Sequence, residues 1–128
     1  MIARGAGGRI VMNSSSHAII AGGENAPYTA SKGAVSALTR ELAFEWIRYG
    51  IAVNAFAAGP VMTPRMAAND RARGRTPEDI RRDMERRVPL GRRLTAEELV
   101  PTVLLLASPA GAALVGEVIV VDGGQTIF

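Results

Sequence analysis

Residues 51–64 read IAVNAFAAGPVMTP. The run from Ile51 to Ala57 is apolar almost throughout, too short for a helix, and carries β-branched and aromatic residues. That pattern predicts a strand buried on both faces, as in a parallel sheet covered by helices. Gly59 and Pro60 then mark a turn just beyond the strand's carboxyl end, which is where open parallel sheets bind ligands. Thr63 followed by Pro64 reads as an N-cap and a first-turn proline, so another helix is expected to begin there.

Upstream, Gly50 closes a helix expected from about Tyr28 to Tyr49, since Val35, Leu38, Leu42, Trp46 and Ile47 recur at helical spacing. Its first half is small (Ala30, Ser31, Gly33, Ala34, Ala37), which suits close packing. A Gly-containing loop, Ala21 to Pro27, precedes it. Before that, Arg9 to Met12 (RIVM) is a second short apolar run and reads as a buried strand. Asn13, Ser14, Ser15 and Ser16 follow at its end. Taken alone, the serines read as a turn with side-chain caps. His17 is given no catalytic role.

The stretch Tyr28 to Lys32 (YTASK) carries the chemistry. Residues four apart on a helix share a face, so the Tyr28 phenol and the Lys32 ammonium can point into one space. A cation beside a phenol favours the phenolate. A phenol so activated can pass a proton to or from a substrate oxygen near neutral pH. Lys32 is the single lysine of the chain; apart from His17, the other basic side chains are arginines.

Downstream, Met66 to Gly74 is polar and small without a clean period, and reads as a mobile segment or a broken helix. Thr76-Pro77 repeats the cap signal before a short charged helix, Glu78 to Arg87. Val88 to Arg92 is a connector. Thr95 with Glu98 forms a capping box opening a helix to about Ala107, with Pro101 awkward inside it. Glu117 to Gly124 (EVIVVDGG) is the last strand with a Gly-Gly turn. The order β-α-β-(α-α-α)-β predicts an α/β fold, three parallel strands with covering helices.

Composition narrows the classes further. A length of 128 residues suits one domain. The absence of cysteine excludes disulfides and thiolate metal sites, and one histidine argues against a His-based metal site, so no metal is expected. No apolar run is long enough for a membrane span or a signal peptide, which makes the cytoplasm the expected location. The net charge is +3, and the arginines between Arg65 and Arg93 alternate with acids, which reads as a solvated helix face. A nucleic-acid-binding module is the weakest reading, because no aromatic platform or groove-reading motif accompanies the charge.

GRIVMNSSS, YTASKGAVSALTRELAFEW, VNAFAAGPVMT and PLGRRLTAEELVPTVLLLASPAGAALVGEVIVVDGG together resemble the classical short-chain dehydrogenase/reductase family, over essentially the whole chain. The resemblance is to the second half of that family's doubly wound, Rossmann-type domain. It implies an NAD- or NADP-dependent oxidoreductase interconverting a small alcohol and a carbonyl compound by hydride transfer. It also implies Tyr28 as general acid/base, Lys32 assisting it and holding the nicotinamide ribose, and Ser15, thirteen residues before Tyr28, steadying the substrate oxygen. Gly59, Val61 and Thr63 match the loop at the nicotinamide end, so the implied cofactor-binding set is Tyr28, Lys32, Gly59, Val61 and Thr63. Met62 to about Arg87 matches the family's variable substrate lid. Self-association through the long helix and the last strand is implied as well.

Two departures stand out. Ala58 occupies the place of a proline in the family loop. The family's Gly-rich phosphate turn is absent, as are the residue choosing NAD or NADP and the helical asparagine of its proton relay; Gly5 to Gly8 precede a strand rather than a helix. The expectation is therefore a partial domain, residues 1–128, holding the catalytic half. Two readings follow: an oxidoreductase, or a truncated remnant that lacks the dinucleotide-binding half and works, if at all, only with a partner.

Overall fold

The computed structural model describes residues 1–23 and 25–127. Three parallel strands form one sheet in the order β1-β2-β3, with β1 at Gly8–Ser15, β2 at Ile51–Ala58 and β3 at Val118–Val121. Four α-helices accompany them: α1 Ala26–Trp46, α2 Pro64–Ala72, α3 Pro77–Arg87 and α4 Val100–Ala107. The fold is α/β and Rossmann-like, as the alternation of apolar runs and helical periods predicts.

β2 is the central strand and the most buried one. Ile51, Val53, Ala55 and Ala57 are almost wholly removed from solvent, and so is Asn54. Asn54 tolerates this because its side chain is satisfied: Nδ2 donates to the Leu114 carbonyl at 2.8 Å and Oδ1 accepts from Glu117 N at 2.9 Å. These two bonds fasten the start of β3 to the middle of β2. Ala43 of α1 packs with Ile51 and Val53, joined by Ile10, Met12, Leu42 and Trp46. Ile10, Met12 and Ser14 pair in register with Val53, Ala55 and Ala57. The period of two therefore puts all six on one face of the sheet.

Several sequence expectations are corrected. β1 extends through Ser15 rather than ending at Met12, so two of the serines lie in the strand and only Ser16 opens the 3₁₀ turn that follows. Pairing with β2 as far as Ala58 outweighs their turn propensity. α1 begins at Ala26, two residues early, with Pro27 in its first turn, and passes into a 3₁₀ turn, Ile47–Tyr49, before Gly50. Glu24, within the expected loop, lies outside the described residues. Met66 to Gly74 is not broken: α2 is regular, opened by Thr63 Oγ1, which accepts from Met66 N at 3.2 Å. The helix expected from Thr95 starts as a 3₁₀ turn at Glu97–Leu99 and becomes α-helical at Val100. Pro101 thus falls in the first turn of α4, where no donor is lost. β3 is shorter than expected because its ladder spans only Ala55 to Ala58 of β2.

Candidate active site

The carboxyl ends of the three strands lie side by side. Ser15 pairs with Ala58, and Ala58 with Val121. The residues singled out in the sequence gather around this edge, each held by a different local device.

Ser15 is the last residue of β1 and 5 % exposed. Its Oγ accepts from His17 N at 3.2 Å, capping the Ser16–Ala18 turn that leaves the strand. Its neighbours are committed elsewhere. Ser14 Oγ donates to the Lys32 carbonyl at 3.1 Å and lies 2.7 Å from Ser36 Oγ, tying β1 to α1. Ser16 Oγ donates to Gln125 Oε1 at 2.8 Å, tying the turn to the segment after β3. Ser14 and Ser16 are therefore structural fasteners, and Ser15 is the serine at the strand end that is spent only on a local cap.

Tyr28 stands in the first turn of α1 and is 38 % exposed. Lys32 lies one turn on. Its Nζ is 5.7 Å from the centroid of the Tyr28 ring and donates to the Asn13 carbonyl at 2.9 Å. The two side chains do share one space, as their spacing of four predicts, and the β1 backbone fixes the ammonium. An ammonium has three donors. One is spent on Asn13, which leaves two for hydroxyl groups of a bound molecule.

Gly59, Val61 and Thr63 sit on the loop after β2. Gly59 N donates to the Val121 carbonyl at 3.0 Å. A Cβ on Gly59 would lie 2.6 Å from Asp122 Cα, so close passage of the two strand ends is itself reason for glycine here. Val61 forms a parallel bridge with Leu94, completed by Met62 N to the Leu94 carbonyl and Leu94 N to the Pro60 carbonyl, each 2.8 Å. Thr63 caps α2. The loop is thus tied down by backbone bonds to Leu94 and Val121 and by the Thr63 cap.

Two groups in this region left no signal in the sequence reading. His17 packs its ring edge-to-face on Tyr28, with centroids 5.7 Å apart. Burial lowers its pKa, and the Arg87 charge lowers it further. Asp70 of α2 is buried and paired with Arg93 through both guanidinium nitrogens. That hydrogen bonding holds the Asp70 carboxyl below its ordinary range. No group of metal-ligating side chains is found among the described residues.

A phenol, a fixed ammonium and a serine thus lie at the open end of a parallel sheet in a Rossmann-like fold. The comparisons place it more narrowly. Residues 1–126 match a family model described as enoyl-(acyl carrier protein) reductase. The chain is 41 % identical to galactitol 2-dehydrogenase (L-tagatose-forming) of Cereibacter sphaeroides, over 100 % of this chain and 49 % of that protein. It is 38 % identical to gluconate 5-dehydrogenase of Gluconobacter oxydans, over 99 % of this chain and 47 % of the relative. Among solved structures, a gluconate 5-dehydrogenase from Burkholderia cenocepacia in complex with NADP and tartrate superimposes with a TM-score of 0.86 at 35 % identity, covering 99 % of this chain and 48 % of that one. A short-chain type dehydrogenase/reductase from Mycobacterium marinum gives 0.85 at 32 %, covering 98 % and 47 %. The protein belongs to the short-chain dehydrogenase/reductase family of oxidoreductases. It spans about half the length of the curated relatives it matches. Among the described residues, no helix is long and apolar enough to cross a membrane.

Proposed function

We propose that this chain carries the catalytic side of an NAD- or NADP-dependent oxidoreductase that interconverts a small alcohol and the corresponding carbonyl compound in the cytoplasm. The observation that carries the reading is Lys32, fixed on the Asn13 carbonyl and facing the Tyr28 ring. Tyr28 acts as the general base that accepts the hydroxyl proton of the alcohol, with the Lys32 ammonium held beside it. Ser15 Oγ donates to the substrate oxygen and steadies the charge that develops there. A nicotinamide held by Lys32 would supply the hydride acceptor; with the hydroxyl proton passed to Tyr28, the alcohol loses two electrons and two protons in all as its carbon becomes a carbonyl. In the reverse direction Tyr28 returns the proton.

The donor set fits the nicotinamide-ribose end of the cofactor. Lys32 retains two donors for ribose hydroxyls, and the Val61–Thr63 loop follows the neighbouring strand end. It does not fit the phosphates: Gly5, Gly7 and Gly8, all with positive φ, lead into β1 rather than a helix and make no phosphate cradle. Residues 1–128 would then be a partial domain, holding the catalytic half without the phosphate-binding half. Phe44 near the end of α1 and Ile47 in the turn after it are exposed and give an apolar patch through which copies could associate.

A second reading, a remnant inactive without a partner, is favoured by one observation. β1 pairs with β2 alone among the described strands, so its other edge offers unpaired backbone groups. Fluorescence titration with NADH and NADPH separates the two. Micromolar binding by the isolated chain supports the enzyme; no binding at millimolar cofactor supports the remnant. The site assignment is tested by Tyr28→Phe. Where turnover is measurable it should fall by at least about a hundredfold with cofactor binding retained, and unchanged turnover would refute the role of Tyr28.

A further inference from the structure

His17 lies among the proposed site residues without a task in the proposed chemistry. Three contacts grip it. Its backbone N–H is held by Ser15 Oγ. Its ring meets the Tyr28 ring with planes at 83°. It also abuts Gly22, where an added Cβ would overlap the imidazole. Gly22 is not among the positive-φ glycines, so space for the ring, rather than backbone freedom, accounts for a glycine there.

Hydrogen bonding does not explain a histidine at this place. Nδ1 is buried and has no partner among the described residues, which costs free energy. The groups facing the ring are Tyr28 of α1 and, by charge, Arg87 at the end of α3. Burial and Arg87 both oppose an imidazolium, so the ring is neutral near pH 7. What remains is its shape, and the surface it presents is turned to the phenol.

Tyr28 needs such a neighbour. It is partly exposed, and no hydrogen bond of its hydroxyl is found among the described residues. A ring free to change rotamer would leave the Lys32 charge for much of the time. We infer that His17 is a positioning residue for Tyr28, its ring edge-to-face on the phenol and keeping the hydroxyl-bearing ring beside Lys32. An aromatic contact of this geometry biases the ring population roughly two- to tenfold. The inference rests on the assignment of Tyr28 as the proton carrier.

The test uses fluorine as a reporter on Tyr28. Tyr28 and Tyr49 are the two tyrosines of the chain, so 3-fluorotyrosine in a Tyr49→Phe background gives one ¹⁹F signal. His17→Ala should move that signal toward the position of free fluorotyrosine, reflecting at least a twofold gain in the alternative ring population. His17→Phe, which keeps a ring and removes the orphan nitrogen, should hold the signal in place. His17→Gln, polar but ringless, should behave as alanine does and decides the matter if the alanine variant does not fold. A residue that merely supports the fold would shift the melting temperature and leave the fluorine signal alone. An unmoved signal in both ringless variants overturns the inference, as does a phenylalanine variant that moves as far as alanine. Neither outcome depends on turnover, so failure of the catalytic role of Tyr28 would be seen separately.

Discussion

The two sides of this molecule are built by different forces. On one side, β1, α1 and β2 are joined by apolar burial and by neutral hydrogen bonds such as Ser14 to Ser36 and Asn54 to Leu114. On the other side, α2 and α3 bury little; they are held by caps and by ion pairs that link Asp70, Arg75, Asp83 and Arg93. The proposed proton-carrying group sits on the first side, at the end of a rigid sheet. The second side corresponds to the segment that the family resemblance assigns to substrate. Apolar burial is not screened by salt, whereas charge pairing between exposed groups is. The molecule thus combines a packed apolar side with a flank whose order depends on conditions.

The largest effect should come from breaking the buried pair. Arg93 and Asp70 have side chains only 3 % and 9 % exposed. Removing one partner of such a pair leaves a buried charge and costs about 3–5 kcal/mol. Arg93→Met should therefore lower the urea midpoint, with amide exchange rising first in α2, while α1 and β2 stay protected. The double variant Asp70→Leu/Arg93→Met should recover most of that loss, because apolar replacement of both partners is often neutral. Equal acceleration of exchange in β2 would show that the two sides are one cooperative unit.

Acid separates the two sides by where it acts. On the charged side, the hydrogen bond from Arg92 and then the Thr95 backbone N–H pull the Glu98 pKa down to about 2. A carboxylate depressed in the folded state contributes stability above its unfolded value near 4.3, and that contribution is lost as pH falls through about 2. Burial lowers the pKa of His17 on the other side. The unfolded chain then binds the proton more readily, so stability is complete above about 6.5 and declines as pH falls below it. Stability measured from pH 8 to 2 should show two separate losses. His17→Phe should remove the upper one, and Glu98→Gln should shrink the lower one, which the depressed Asp70 carboxyl shares. Persistence of the upper loss in His17→Phe would assign it to another group.

The apolar side was the more legible in sequence, because its signals are local. The run at Ile51 and the helical spacing from Val35 to Ile47 can each be read within a few residues. Legibility failed where distant partners decide. Ser14 and Ser15 read as a turn, and become strand because Ala57 and Ala58 lie beside them. Met66 to Gly74 lacks a helical period, yet forms α2, with Asp70 secured by an arginine 23 residues away. His17 gave no signal because its ring meets Tyr28 only after the chain has left β1, turned and entered α1. Tyr28 and Lys32 could be paired from their spacing and Ser15 singled out through the family resemblance; the carbonyl of Asn13 that anchors Lys32 could not be named.

The smallest effect tests whether caps alone can order the charged side. Thr76 Oγ1 accepts from Asp79 N at 3.1 Å, and the Asp79 carboxylate accepts from Thr76 N at 2.9 Å, so α3 opens with a reciprocal capping box. Thr76→Ala removes one half of it and should cost about 1 kcal/mol. The segment is exposed and its remaining exposed pairs, Arg81 with Glu78 and Glu85, are worth little individually. The loss should therefore appear as faster exchange confined to the first turn of α3. Raising the salt should deepen it, because the ion pairs that remain are then screened. A Thr76→Ala variant whose α3 exchanges at the original rate, at low and high salt alike, would place the order of this helix in the packing of Met84 beneath it, and would make the two sides of the molecule alike in kind.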